Sequence, residues 1–224
     1  MFDRLELLIG KDGLLKLNNS NVLIIGLGGV GGCVLESLIR SGVGQVTIVD
    51  SDKIELSNLN RQIIATRYNI GKYKTDEFEK RIKSINPDVV INKITEFIDK
   101  DNIDLLFENS IDFLVDACDT YSTKCLIIEK CLSKKIPFIT CTGTGNRMDT
   151  RKLDVIDIRK TMYDPLAKKI RKYVNDNNIK GSVMCLTSKE VPLRKGKVIG
   201  SNSFVPPSAG LLISNYVIEK LLEE

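Results

Sequence analysis

A run of glycines between an apolar strand and an amphipathic helix constrains this chain more than any other feature. Residues 21–26 (NVLIIG) are too few for a helix and end in glycine, so they read as a buried strand. Residues 29–41 then space Val30, Val34, Leu35, Leu38 and Ile39 at helical intervals, and Gly42 ends the run. Gly26, Gly28, Gly29 and Gly31 fill the junction. Glycines there let the backbone approach a phosphate, and the helix amino terminus offers unpaired N–H donors. A second strand, 45–50 (QVTIVD), ends at Asp50, 24 residues after Gly26, where a carboxylate can accept hydrogen bonds from ribose hydroxyls. Strand, turn, helix and acid in this register predict a nucleotide site rather than a merely structural turn.

The alternation continues. Residues 72–85 read as an amphipathic helix closed by Asn86-Pro87, and 89–94, 111–117 and 136–141 as further strands, with a helix over 122–133. Such a chain requires right-handed crossovers and a parallel sheet covered on both faces. After a turn-rich joint at Thr142-Gly143-Thr144-Gly145 the pattern changes. Residues 153–159 alternate with period two, as an antiparallel strand does, and Asp164-Pro165 opens a basic helix to about Val174. Residues 175–182 have the composition of a mobile loop, 183–187 form a last strand and 209–222 a closing helix. The expected fold is α/β: a Rossmann-like, mostly parallel sheet with helices on both faces, extended by antiparallel strands and a basic helical segment. One domain, 1–224, is expected, with a nucleotide-binding core over 1–141 and an extension over 142–224.

Composition removes several mechanisms. The chain has no histidine, which excludes Ser-His-Asp and Cys-His nucleophile pairs, His-ligated zinc and HExxH peptidases. Its six cysteines form no Cys-x-x-Cys pair, so a zinc ribbon or dithiol redox motif is not expected. The amino-terminal MFDRLELLIGKDG lacks the apolar core of a signal peptide, and no apolar run approaches the roughly 20 residues of a membrane helix. A cytoplasmic protein without a membrane partner is the expectation. Net charge is +4, but residues 151–197 hold 13 basic and 5 acidic residues against a net −4 elsewhere. A basic third on a mildly acidic body predicts a polyanionic partner, nucleic acid first.

The residues after the second strand separate the nucleotide classes. A dinucleotide can be held by backbone amides, whereas Arg61 beside Asn58 and Gln62, with Lys74 opening the next helix, suits the charge of a triphosphate. Asp119, just past the fourth strand, would sit across the carboxyl edge of the sheet, placed to hold magnesium. ATP with Mg²⁺ is favoured over NAD.

Together the GxGGxG, the Asp50-x-Asp52 pair, SNLNRQ at 57–62, Lys74 and the Asp116-x-x-Asp119 pair resemble the adenylating domain of the ubiquitin-activating-enzyme-like (ThiF/MoeB-like) superfamily. The resemblance implies Asp50 on the ribose, Asn58, Arg61 and Lys74 on the phosphates, and Asp119 on the metal. It also implies a homodimer in which Arg4 reaches the neighbour's ATP. Ile136-Pro137 with the TGTG turn, residues 154–158, DPLA at 164–167 and GSNSFVPP at 200–207 are similar to the tRNA threonylcarbamoyladenosine dehydratase family, nearly end to end. That family cyclises N6-threonylcarbamoyladenosine in tRNA to its hydantoin form with ATP, through a carboxyl adenylate. The implied layout is an ATP-binding adenylation core over 1–141 and a tRNA-facing part over 142–224, with Arg159, Lys160, Lys168, Lys169, Arg171 and Lys172 meeting the RNA. Cys185, read as outside the sheet-and-helix core, is the candidate for a persulfide or redox role. A monovalent cation near the turn-rich joint and a sulfur-transfer accessory protein are further candidates. Two other readings stay open: adenylation of the carboxy terminus of a ubiquitin-like sulfur carrier, and a non-enzymatic nucleotide-binding protein.

Overall fold

The short apolar runs pair side by side because each is too apolar to face water and too short to fold alone. In a computed structural model, which describes residues 1–194, 196 and 199–223, the strands are β1 (Asn21–Ile25), β2 (Gln45–Val49), β3 (Val90–Ile94), β4 (Phe113–Asp116), β5 (Phe138–Cys141), β6 (Leu153–Asp157) and β7 (Met184–Ser188). They form one sheet in the order β3-β2-β1-β4-β5-β7-β6. Every pairing is parallel except β6 with β7. The helices are α1 (Asp3–Asn19), α2 (Gly31–Arg40), α3 (Lys74–Ile85), α4 (Tyr121–Lys134), α5 (Pro165–Asp176) and α6 (Val205–Glu223). Lys195 and Lys197, counted in the basic segment, lie outside the described residues.

Alternation along β1 builds a core on each face. Val22 and Ile24 pack with Val34, Phe78 and Ile213 on the side of α2, α3 and α6. Leu23 and Ile25 pack with Leu114, Ile127 and Ile170 on the side of α4 and α5. The order reverses between β1 and β4, so a crevice opens there at the strands' carboxyl ends, the usual ligand position in such sheets.

Four features differ from the sequence expectation. The helix α1 has no clear periodic signal: Gly10, at φ 74°, breaks it, and Leu7, Leu8 and Leu15 face outward, which blurs any apolar stripe. The carboxyl-terminal strands do not simply add an antiparallel edge, because β7 enters the sheet parallel to β5. Residues 175–182 begin as the last turn of α5, and the Arg159 guanidinium then donates to the carbonyls of Ile179 and Gly181. Finally, α6 starts at Val205 rather than 209. Pro206 and Pro207 fit its first turn, where no N–H partner is needed, and the Asn202 side chain accepts from the N–H groups of Phe204 and Val205.

At the end of β4 a lysine is buried completely. Lys124 Nζ lies 2.9 Å from Asp116 Oδ2 and 3.1 Å from Thr140 Oγ1, and both charged side chains are 0% exposed. Burial alone would push the Lys124 ammonium down; the Asp116 carboxylate beside it holds it up. The remaining Asp116 oxygen accepts from Cys118 N, which fixes the turn leading to Asp119. Removing one partner strands a buried charge, so Lys124→Met should lower the unfolding free energy by about 3–5 kcal/mol. A urea titration showing almost no loss would mean that the pair is dispensable to the fold.

Candidate active site

The phosphate cradle rests on two glycines that no other residue could replace. Gly26 sits at φ 88°, and a Cβ on Gly31 would lie 1.8 Å from the Gly26 carbonyl oxygen. That approach brings the first turn of α2 against the end of β1. No side chain caps α2, and its first backbone bond runs from Gly32 N to Gly28 O, so the N–H groups ahead of Gly32 remain available to an anion. Above Gly28 there is open space, and a methyl group added there would have no neighbour within 4 Å.

Asp50 stands just past β2. Its Oδ2 accepts from Leu27 N at 2.6 Å and its Oδ1 from Asp52 N at 2.8 Å. Lys74 Nζ lies 3.6 Å from Asp50 Oδ2 and 2.7 Å from Asp52 Oδ2, with its side chain almost wholly buried. Burial pushes the Asp50 carboxyl up, while the Lys74 ammonium and the Leu27 N–H oppose it. The Lys74 charge is thus held at the cavity wall by two carboxylates.

Opposite them, a 3₁₀ turn at Leu56–Asn58 presents Arg61. Its Nη1 donates to Ser57 O and Asn60 Oδ1, both at 2.9 Å, and no described carboxylate pairs with it. Asn58 Oδ1 accepts from Glu55 N in a capping box, so this side chain shapes the turn as well as lining the cavity. Gln62 is buried, with Oε1 left without a hydrogen-bond partner. Asp119 is exposed on the rim.

These residues meet in one cavity of about 540 Å³. Gly26, Gly28, Gly29, Asp50, Asp52, Asn58, Arg61, Gln62, Lys74 and Asp119 all line it. Gly31 lies behind the lining and acts through packing. Arg4 is exposed on α1 and outside the cavity of its own chain. The sequence reading names motifs in the carboxyl-terminal part but does not place them in the nucleotide cavity, whose far wall is Thr142 to Gly145, Leu166, Ile199, Ser201 and Pro206; Asn60 Nδ2 ties the near wall to Ser201 O at 3.1 Å. The TGTG turn is legible as a joint, but composition carries no sign that it faces a ligand. Lys124 does leave a signal, since it falls on the apolar stripe of its helix with Ile127, Ile128 and Cys131.

One expectation needs correction, and two basic side chains are engaged locally. Cys185 is not outside the core: it is on β7 at 0% exposure, paired between Thr140 of β5 and Ile156 of β6, and burial pushes its thiol up. A buried neutral thiol is unsuited to persulfide or redox exchange. Arg159 is engaged with Asp157 and two carbonyls, and Arg171 Nη1 donates to Thr161 O and Oγ1, so these two guanidiniums serve the local fold. Lys160, Lys168, Lys169 and Lys172 remain exposed.

The strand-turn-helix cradle, its carboxylate and the opposed cations fit one comparison end to end: the ThiF family model matches residues 2–221. The chain belongs to the ThiF family. Among its relatives is the tRNA threonylcarbamoyladenosine dehydratase of Bacillus subtilis, 36% identical over an alignment spanning all of this chain and 95% of that protein. The Escherichia coli tRNA N6-threonylcarbamoyladenosine dehydratase, solved in complex with ATP, superposes with a TM-score of 0.94 at 30% identity, covering 99% of this chain and 93% of that one. Similarity to the sulfur carrier protein ThiS adenylyltransferase of B. subtilis, at 36% identity, reaches only 61% of this chain and 41% of that protein.

Within this ThiF-family cradle the glycines make separable demands. Gly31→Ala forces a methyl into the Gly26 carbonyl and should cost about 1–3 kcal/mol or more. Gly28→Ala meets open space and should stay within about 0.5 kcal/mol of the parent. Chemical denaturation of the two variants checks the contrast; equal losses would contradict it.

Proposed function

We propose that this protein catalyses the ATP-dependent dehydration of N6-threonylcarbamoyladenosine in tRNA to the cyclic hydantoin form, through a carboxyl adenylate. The observation that carries the reading is similarity to dehydratases along the whole chain, both cavity walls included, where similarity to the sulfur-carrier activator stops part-way. The alternative, adenylation of a sulfur carrier's carboxy terminus, also lacks support from Cys-x-x-Cys pairs.

The uncapped start of α2 and the open space over Gly28 receive phosphates, and Asp50 takes the ribose. Arg61, without a carboxylate partner, and Lys74 stabilise charge as pyrophosphate leaves. Threonyl carboxylate oxygen bonds to the α-phosphorus; N6 of the adenosine then attacks the activated carbonyl carbon, AMP departs and one water is lost overall. The nucleophile belongs to the substrate, so orientation replaces a general base, consistent with a chain that lacks histidine.

Among the described residues no three His, Cys, Asp or Glu side chains cluster to hold a metal unaided. An exposed single carboxylate fits Mg²⁺ bound mainly by phosphates and water, so Asp119 would hold it. Bound magnesium would supply charge neutralisation on the phosphates. A monovalent cation would sit at the joint; Asp164 Oδ2, buried without a hydrogen-bond partner beside Gly143, supports that reading. Exposed Lys160, Lys168, Lys169 and Lys172 form the tRNA-facing side of the 142–224 part, beside the 1–141 adenylation core. Exposed Leu7, Leu8, Leu211 and Leu212 on α1 and α6 support a homodimer that carries Arg4 to the neighbouring site. No described helix is long and apolar enough to cross a membrane; a cytoplasmic location belongs to the proposal through its tRNA substrate. Because Cys185 is buried, a sulfur-transfer accessory protein would engage another part of the chain.

Incubation with ATP, Mg²⁺ and tRNA bearing the threonylcarbamoyl group should give a nucleoside lighter by one water in mass spectrometry of the digest. Arg61→Ala and Lys74→Ala should each lower turnover by roughly 10²–10³-fold. An unchanged nucleoside, with pyrophosphate exchange driven by a sulfur-carrier peptide instead, would favour the alternative.

A further inference from the structure

Tyr163 is strained and exposed at once, and neither the sheet nor the cavity accounts for it. Its backbone lies at φ 58°, a conformation unfavourable for a bulky aromatic residue, and 53% of the residue remains open to solvent, so burial does not offset the strain. The conformation is held from beneath. Arg147, only 3% exposed, donates Nη2 to Tyr163 O at 2.9 Å and Nη1 to Glu190 O, leaving its Nε without a partner. Burying a guanidinium to grip two backbone carbonyls is a costly way to make a turn that serves only itself.

The place of the residue in the chain gives the strain a purpose. The next residue, Asp164, caps α5 through Ala167 N at 2.7 Å and lies against Gly143 of the cavity wall, and Leu166 lines the cavity. Tyr163 therefore lies in the chain next to the residue that packs on the cavity wall, just before α5 begins. Lys160 precedes it and Lys168 and Lys169 follow it, all exposed. An aromatic face interleaved with cations is the chemistry that recognises single-stranded nucleic acid: lysines meet phosphates and the ring receives a base.

We propose that Tyr163 is a stacking platform for an unpaired RNA base flanking the reacting adenosine, and that Arg147 is the positioning residue that fixes it. The inference rests on the tRNA reading above and adds a residue that selects the substrate's loop conformation. With the backbone already held by Arg147, only the side-chain torsions are left to be ordered when a base stacks on the ring.

The test uses an anticodon stem-loop RNA carrying the substrate adenosine, with 2-aminopurine replacing a neighbouring base. Wild type and Tyr163→Phe should bind it and quench the probe. Tyr163→Gly relieves the positive φ, so its thermal midpoint should match or exceed the parent's, and ATP affinity should be retained. Its RNA affinity should nevertheless fall roughly 5- to 100-fold, with quenching lost and salt dependence unchanged, because a stacking contact and no phosphate contact has gone. Parental affinity and quenching in Tyr163→Gly, or an equal loss in Tyr163→Phe, would overturn the inference while leaving the tRNA reading standing. Failure of wild type to bind the stem-loop would overturn the tRNA reading itself.

Discussion

The site depends on how closely the start of α2 can approach the end of β1. A helix can offer its free N–H groups to an anion only if the strand before it delivers the chain at the right angle. Here that delivery needs positive φ at Gly26 and the absence of a side chain at Gly31, where the backbone touches the Gly26 carbonyl. A second close approach supports the first from behind: a Cβ on Gly210 would lie 2.6 Å from Val30 O, so α6 packs directly on α2. The carboxyl-terminal segment, which also supplies Ile199, Ser201 and Pro206 to the lining, therefore completes the cavity.

Two carboxylate–ammonium pairs flank the central strand, and burial separates their roles. At the end of β2, Lys74 shares Asp50 and Asp52 and lines the cavity, so its charge can be redirected to a ligand's phosphates. At the end of β4, Lys124 and Asp116 are sealed from solvent and joined to Thr140. The desolvation cost of that second pair is large, and its Asp116 also accepts from Cys118 N in the turn that leads to Asp119. The same chemistry thus gives one charge that lines the cavity and one sealed bracket on opposite sides of the crevice.

Most of the sheet and one wall of the cavity are legible in the sequence, because their signals are local. Apolar runs of five residues bounded by glycine report buried strands, and the spacing from Gly26 to Asp50 reports a βαβ unit. The other wall is not legible, since Thr142 to Gly145, Ile199 and Pro206 converge through long-range packing that no periodicity encodes. The first helix escapes because Gly10 interrupts it and its exposed leucines mask the buried face. Cys185 is misplaced for a related reason: a strand that enters a sheet by a long connection looks peripheral in sequence, while pairing with β5 and β6 buries it. Arg159 and Arg171 show the limit of charge counting, because a guanidinium in a basic run can still be engaged by nearby carbonyls.

In the proposed reaction ATP activates the substrate's own carboxylate as an adenylate, and every role given to the cavity follows from that step. Label both carboxylate oxygens of the threonylcarbamoyl group with ¹⁸O, run a single turnover with unlabelled ATP, and weigh the nucleotide product by mass spectrometry. Adenylation transfers one labelled oxygen to the α-phosphorus, so AMP should leave carrying one ¹⁸O. Unlabelled AMP, or ADP with the label in inorganic phosphate, would contradict carboxylate adenylation.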